Sequence, residues 1–466
     1  VRALAGSLLA LAVVAAVAVA APGSAQAGQT VTRDQAFQLG REAYRYGLPL
    51  MEFLRVRREN TSVRAPDGKG NAPLNRFSNA RRFAGPEQRT VVAPNVDTLY
   101  SIAQLDLGKE PIVLSHPNMG KRYFVFQLLD PYTNTIGYIG QRTTGSKAGK
   151  FAITWDRKPG KRVRGVKVVR SKYRRLWVIG RTLAEDRADQ ARAYRLMRRF
   201  SLTPLSRLDN PPRYRRVPPG KPVEATTPQG LAFLDALGPA MESNPPPARD
   251  KPLLDRLKRV GIGPGLKPSN AGLAPDVLAA LDAGARAEET RLRTETRTEL
   301  LRQAQSSGGW YVPPRNIGNY GTDYELRAKI AIAGLGANTP EEAIYPTALS
   351  DSEGRLFDGS KRYEIRFAPG QAPPNKAFWS LTMYDISGYL VANPANRYAV
   401  GDSHPPLVKR RDGSIVIAIQ HDRPSDPTVN WLPAPSGPFR MSLRIYWPER
   451  SVLTGAWKPP PVRLLP

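Results

Sequence analysis

Two short acidic motifs in the first half of the chain hold residues whose types and spacing could do chemistry. In PNVDTLYS (94–101), Asn95 and Asp97 stand two apart and Tyr100 follows. On an extended chain, side chains two apart share a face. An Asn–Asp pair beside a phenol can bind a sugar hydroxyl or a cation, or hold a water for general-base attack. The same two residues can equally close an Asx turn behind Pro94. In QLLDPYTN and IGQRTTG, Asp130 is followed by Asn134 and Arg142. Asp130 and Arg142 can form a buried pair that joins strand ends. Alternatively, Asp130 is a second carboxylate facing Asp97, and the two share acid and base work on a glycosidic bond. Asp97 and Asp130 are the catalytic expectation.

The last third is dense in Trp, Tyr, Asn, Arg and Pro. In FWSLTMYD, Trp379, Met383 and Asp385 alternate with Phe378, Ser380, Thr382 and Tyr384. A strand with this pattern has one polar–aromatic face. Arg397-Tyr398, after Asn393-Pro394, reads as a loop that sets a cation beside a ring. Aromatic faces stack on sugars and planar polar groups bind hydroxyls. The expected binding set is therefore Asn95, Tyr100, Arg142, Trp379, Tyr384, Asp385, Arg397 and Tyr398. The alternative is structural: the aromatics seal a sandwich and Arg397 pairs with Asp385. Trp431 and Trp447, each near Pro, read as core, and DSEGRLFDG reads as two turns because it lacks calcium-loop spacing. The run KRVRGVKVVRSKYRR (161–175) alternates cations with Val and would give a strand one basic face, either solvated or gripping an anionic polymer.

Other chemistries are excluded by what is missing. With no Cys there are no disulfides, thiolate metal sites or thiol nucleophiles. The only histidines are His116, His404 and His421, without zinc-site spacing. No phosphate loop, dinucleotide fingerprint or nucleophile elbow occurs. A Ser-His-Asp triad would need one of the three histidines, and His421, beside Asp422 at a strand end, is the best placed by sequence. No metal or cofactor is expected.

At 466 residues and 41% hydrophobic, the chain can bury two or three cores. Its 45 prolines favour loops and edge strands. Arg2, the apolar run 8–21 and Ala25-Gln26-Ala27 fit an export signal cleaved near Gly28. The expectation is a periplasmic, wall-associated or secreted protein with no later membrane span. The formal charge is +29. For an exported protein this points to anionic envelope polymer or polysaccharide rather than nucleic acid, or simply to an Arg-rich surface.

Periodicity places the elements. Residues 32–55 read as a helix capped by Thr32. Short β-branched and aromatic runs between 90 and 182 read as strands, and 183–202 as an amphipathic helix. At least three helices follow in 229–305, interrupted by GIGPGLKPSNAG. A helix at DYELRAKIAIAGLG precedes strands from 345 to 447, including KRYEIRF, AFWSLTMYD, SIVIAIQ and FRMSLRIYWP. The pattern predicts a mainly β, α+β protein: two antiparallel β-sandwich or jelly-roll-like domains joined by a helical region.

Longer motifs add a resemblance. AYRYGLPL, PNVDTLYS, YFVFQLLDPYTN and VIGRT resemble Domain of Unknown Function 1254. YGTDYELRA, GANTPEEAIY, DSEGRLFDGSKRYEIRF, PPNKAFWSLTMYD, NPANRYAVGD, NWLPAP and LRIYWP resemble Domain of Unknown Function 1214. The resemblance implies bacterial exported proteins with two β-rich domains, and it implies no reaction. The expected divisions are a signal at 1–27, a first β-rich domain at 28–202, a helical connection at 203–309 and a second β-rich domain at 310–466. The functional expectation is a hydrolase or lyase that binds or cleaves a polar, carbohydrate or anionic envelope substrate by carboxylate chemistry. The alternative is a non-catalytic binding or structural envelope protein.

Overall fold

The computed structural model describes residues 31–89, 92–306 and 308–466. The expected signal segment lies outside them. The chain starts with α1 (Arg33–Thr61). Strands β1 (Ser78–Asn79), β2 (Thr98–Asp106), β3 (Ile112–His116), β4 (Phe124–Leu129) and β5 (Thr135–Gly140) follow. Then come α2 (Gln141–Thr144), β6 (Gly149–Trp155), β7 (Lys167–Ser171), β8 (Arg175–Leu183), α3 (Arg187–Met197) and β9 (Ser201–Pro204). A helical stretch contains α4 (Gly230–Ser243), α5 (Lys251–Lys258) and α6 (Pro275–Ser306). The last part holds β10 (Trp310–Tyr311), α7 (Tyr324–Ala333), β11 (Ala343–Ile344), β12 (Thr347–Ala348), β13 (Arg362–Phe367), β14 (Asn375–Asp385) and β15 (Ala399–Gly401). It ends with β16 (Ile415–Gln420), β17 (Asn430–Pro433), β18 (Phe439–Pro448), α8 (Arg450–Thr454) and β19 (Arg463–Leu465).

The protein is mainly β with several helices, as the periodicity predicts. Each β-rich region has two sheets. In the first, β1-β2-β8-β4-β5 is antiparallel and faces β7-β6-β3-β9, in which β6 and β7 run parallel. In the second, the antiparallel sheet β10-β12-β18-β14-β15 packs on β17-β16-β13-β19, in which β16 and β17 are parallel. Among the described residues no helix is long and apolar enough to cross a membrane.

Thr32 caps α1 in a reciprocal box with Gln35, as its position predicts. The helix buries Ala36, Leu39, Ala43 and Tyr46 at helical spacing and lies along α6. Two glycines permit that approach: a Cβ on Gly40 would sit 2.5 Å from the Leu281 carbonyl oxygen, and one on Gly284 would sit 2.1 Å from that of Phe37. One apolar core then runs continuously from α1 and α4–α6 into the first pair of sheets. A second core fills the C-terminal sandwich around Trp379, Leu443, Ile365 and Ile417.

Strand alternation decides what lies between the two β-regions. On β14, Trp379, Leu381 and Met383 enter the C-terminal core, leaving Phe378, Ser380, Thr382 and Tyr384 on the opposite face. The register aligns Phe378 with Tyr446, Ser380 with Arg444 and Thr382 with Ser442 on β18. On β4, Phe124, Phe126 and Leu128 enter the first core, whereas Tyr123 and Val125 join Phe378 and Tyr446 in a separate cluster. Phe378 stacks on Tyr446 with centroids 4.3 Å apart, and Tyr123 meets both edge-on at 5.4 Å. The two large antiparallel sheets thus meet through their second faces, and the seam between them holds the buried polar residues Asp97, Arg181, Ser380, Thr382 and Arg444.

Candidate active site at the seam between the sheets

Residues 93–97 run into the seam and are held at nearly every step by the C-terminal domain. Arg444 donates to the Ala93 carbonyl at 2.9 Å, Tyr384 Oη to the Pro94 carbonyl at 2.6 Å, and Asn95 Nδ2 to Tyr446 Oη at 2.5 Å. Asn95 Oδ1 accepts the backbone N–H groups of Asp97 and Thr98, which is the Asx turn foreseen after Pro94. That turn aims the Asp97 carboxylate across the seam.

Asp97 is fully buried, and its side-chain partners come from the other domain. Ser380 Oγ donates to Oδ2 at 2.9 Å. Ser403 Oγ donates to Oδ1 at 2.8 Å, and His404 Nε2 lies 2.9 Å from the same oxygen. Burial alone would raise the Asp97 pKa. The hydrogen bond and charge of His404, the charge of Arg444 and the Ser380 bond outweigh it and hold the group below the usual carboxylate range. An ionised Asp97 can only accept, so Nε2 of His404 carries a proton, and Nδ1 is the nitrogen that can take or give the second one. Among the described residues nothing hydrogen-bonds Nδ1. The ring keeps 19% of its surface exposed.

Ser403 and His404, which meet Asp97 beside Ser380 of β14, come from a tight turn after β15. His404 N–H bonds the Gly401 carbonyl. A Cβ on Gly401 would sit 2.2 Å from the Trp379 carbonyl oxygen, so only glycine lets the turn press this closely on β14. Asp402, the next residue, accepts the Trp379 N–H at 2.7 Å. Its surroundings desolvate it and the nearby Asp97 charge opposes its ionisation, against help from the Trp379 N–H, Asn375 and His404; its pKa is pushed up to about 6. Its solvent-exposed edge works against that push. One carboxylate is therefore held ionised beside another held towards protonation, an arrangement that separates base from acid.

Arg444 lies behind Asp97, donating to Thr382 Oγ1 at 2.8 Å and Tyr384 Oη at 2.6 Å. Arg181 is buried in the same seam, 5.7 Å from the centre of the Tyr100 ring. Arg142 joins the domains by a different pairing from the one expected. It bonds Glu342 at 2.6 Å, and Glu342 also accepts from Tyr123 Oη at 2.7 Å.

Asp130 is not brought to Asp97. Thr98 lies opposite Leu183 on β8, and Leu129 lies opposite Trp177. The residues of extended strand between those two partners span roughly 20 Å, so the two aspartates stand at opposite ends of one sheet. They cannot act on a single bond. Asp130 instead closes its own turn, accepting from the N–H groups of Tyr132 and Asn134 and from Asn134 Nδ2. Burial pushes its pKa up to about 6 despite those bonds and the charge of Arg327. This has a consequence for stability. The unfolded group titrates at about 3.9, so between about pH 4 and 6 the folded state keeps a proton that the unfolded state has lost. Stability falls as pH rises through that window, by about 3 kcal/mol. Asp130→Asn is expected to remove most of this fall, read from urea midpoints of both proteins at pH 4.5 and 7.

The remaining expected residues are spread out. Trp379 is core and supports the site through its backbone. Asp385 closes the Asp385–Tyr389 turn and meets Arg89 at 3.3 Å, not Arg397. Arg397 bonds the Trp431 carbonyl at 3.2 Å, and Tyr398 packs with Val96 and Tyr384. Nearby, Asn393, His421, Arg423 and Trp431 line a surface groove of about 360 Å³. His421 is exposed on Asp422, so the histidine that meets a buried aspartate and serines is His404. Of the basic run, only Lys167–Ser171 forms a strand, at a sheet edge. Among the described residues no cluster of three or more His, Asp or Glu side chains is arranged to hold a metal.

A family model described as Protein of unknown function (DUF1254) matches residues 74–204, and one described as Protein of unknown function (DUF1214) matches residues 342–450. No curated protein matches the chain. Among solved structures, the VPA0106 protein from Vibrio parahaemolyticus is 24% identical, with a TM-score of 0.68 over 92% of this chain and all of that one. An uncharacterized protein from Burkholderia cenocepacia is 12% identical, with a TM-score of 0.41 over 93% of this chain and 95% of its own. Asp97 lies in the first matched segment and Ser380, Ser403 and His404 in the second, and the chain joins a DUF1254 segment to a DUF1214 segment in that order.

Proposed function

We propose that the seam is an acid–base site and that the protein cleaves a polar bond as a hydrolase or lyase. The observation that carries this reading is His404, held by the buried, ionised Asp97 with Asp402 at its side. His404 Nδ1 takes a proton and Asp402, shifted to about 6, gives one. The leader-like N-terminal sequence and the charge of +29 support an exported protein whose substrate is an anionic or carbohydrate component of the cell envelope.

A second reading has its own support. Asp97 is wholly buried and meets three side chains of the other domain. That suits a latch that fixes two sandwiches together in a non-catalytic envelope protein. The test is mass spectrometry of soluble products after incubation with a crude envelope-polymer fraction. The catalytic reading expects fragments from the wild-type protein and none from folded His404→Gln or Asp402→Asn. Identical product spectra from all three proteins would leave the latch as the standing interpretation.

A further inference from the structure

The seam contains more buried positive charge than its acids balance. Arg181 is buried, and its hydrogen bonds go to neutral oxygens: Gln127 Oε1 at 3.0 Å, Asn338 Oδ1 at 3.2 Å and the Gly336 carbonyl at 3.1 Å. Arg444 is also buried and likewise bonds only a threonine hydroxyl, a phenol and a carbonyl. Among the described residues no carboxylate lies within 4.0 Å of either guanidinium. The charge of Asp97 reaches Arg444 over a longer distance, whereas the strongest electrostatic neighbours of Arg181 are Tyr345, Tyr100, Tyr446 and Tyr123. A buried cation without a counter-charge is costly, and an anion that enters relieves that cost.

Two further features of the seam suit a polar ligand. Thr98 Oγ1 is buried with no hydrogen-bond partner. By strand alternation it shares the face of Tyr100, and it adjoins Asp97. Tyr100 and Tyr345 keep accessible surface while Tyr123 and Tyr446 beside them are almost fully buried.

We propose that the seam binds a small molecule carrying an oxyanion, a carboxylate or a phosphate, between Arg181 and Arg444, with the tyrosine rings against its body. This rests on the reading of the seam as a substrate site and names the charge of that substrate. A guanidinium is suited to the role because its planar fork matches a carboxylate or phosphate.

Calorimetric titration of the wild-type protein with inorganic phosphate, with glucuronate and with glucose tests it. Chloride is held high enough to screen the basic surface, where exposed charges bind weakly. Saturable binding of phosphate or glucuronate, but not glucose, is expected, and glucuronate alone would identify a carboxylate ligand. Arg181→Gln should weaken binding at least tenfold. Arg181→Lys, which keeps the charge and loses the fork, should weaken it less and guards against misfolding of the first variant. A product-forming wild type that binds neither anion, or binding that survives Arg181→Gln unchanged, overturns the anion site. Binding that depends on Arg181 without any product formation supports the anion site and instead removes the acid–base reading.

Discussion

Asp97→Ala is expected to destabilise the protein by about 3–5 kcal/mol, the range found when one partner of a buried, hydrogen-bonded charge cluster is removed. The substitution leaves Ser380 Oγ and Ser403 Oγ without their shared acceptor and takes from Arg444 the charge of a nearby carboxylate. It also removes one of the ties that hold the segment 93–97 to the C-terminal sheet. Asp97→Asn keeps the shape and one acceptor, so its cost should be nearer 1–3 kcal/mol. The pH dependence has a definite sign. Asp97 is held below its unfolded value, so its contribution is present above about pH 4. It is lost as pH falls through the lower folded pKa. Urea unfolding at pH 7 should show the full deficit in Asp97→Ala, and the gap from wild type should narrow towards pH 3. A midpoint at pH 7 within about 0.5 kcal/mol of wild type would mean that the cluster does not hold the domains together.

Much of this was legible in the sequence, and the reason is strand periodicity. The alternation in FWSLTMYD assigned one polar–aromatic face to β14, and that face, Phe378 through Tyr384, is the one turned to the seam. Of the two readings of Pro94-Asn95-x-Asp97, the Asx turn forms through Asn95 alone, and Asp97 bonds side chains of the other domain instead of local backbone. The same alternation was available in FRMSLRIYWP, where Ser442, Arg444 and Tyr446 fall on one face of β18. That alternation puts Arg444 on the polar face of its strand; the sheet register opposite Ser380 brings it to Asp97.

The pairing of Asp97 with Asp130 failed because a motif shows which way a side chain points, not which end of a sheet it occupies. That follows from the order β2-β8-β4, which sequence spacing does not contain. His404 was harder to find. It meets Asp97 across 307 positions of chain, through a turn set by the closeness of Gly401 to Trp379. The local signal was present in Gly401-Asp402-Ser403-His404, a glycine followed by three polar residues at a strand end. His421 drew attention instead because its aspartate is adjacent in sequence, and that neighbour proves to be exposed with it.

His404→Gln should lower the rate of product formation by about 100- to 10,000-fold, the usual contribution of a positioned acid or base. Glutamine can still donate to Asp97 from its amide, which preserves the buried hydrogen bond, but it has no basic nitrogen. The loss should therefore appear in kcat, with the urea midpoint changed far less than in Asp97→Ala. Asp402 supplies an independent readout. Its pKa is pushed up to about 6, first by desolvation and then by the charge of Asp97. A carboxyl that acts as the proton donor works only while protonated, so kcat/KM should decline as pH rises through about 6. Asp402→Asn should lower the rate and abolish that limb. A purely structural role for Asp402 predicts a lower rate at every pH with the limb unchanged, because the titrating group would then lie elsewhere. Loss of the limb in Asp402→Asn, together with a kcat defect in a stable His404→Gln, would assign the acid and the base separately. The fold gives a reason to expect that separation: Asp97, sealed in the seam, is kept ionised by its hydrogen bonds, and Asp402, on the exposed edge of the seam, is discouraged from ionising by desolvation of its carboxyl and, to a lesser degree, by the charge of Asp97.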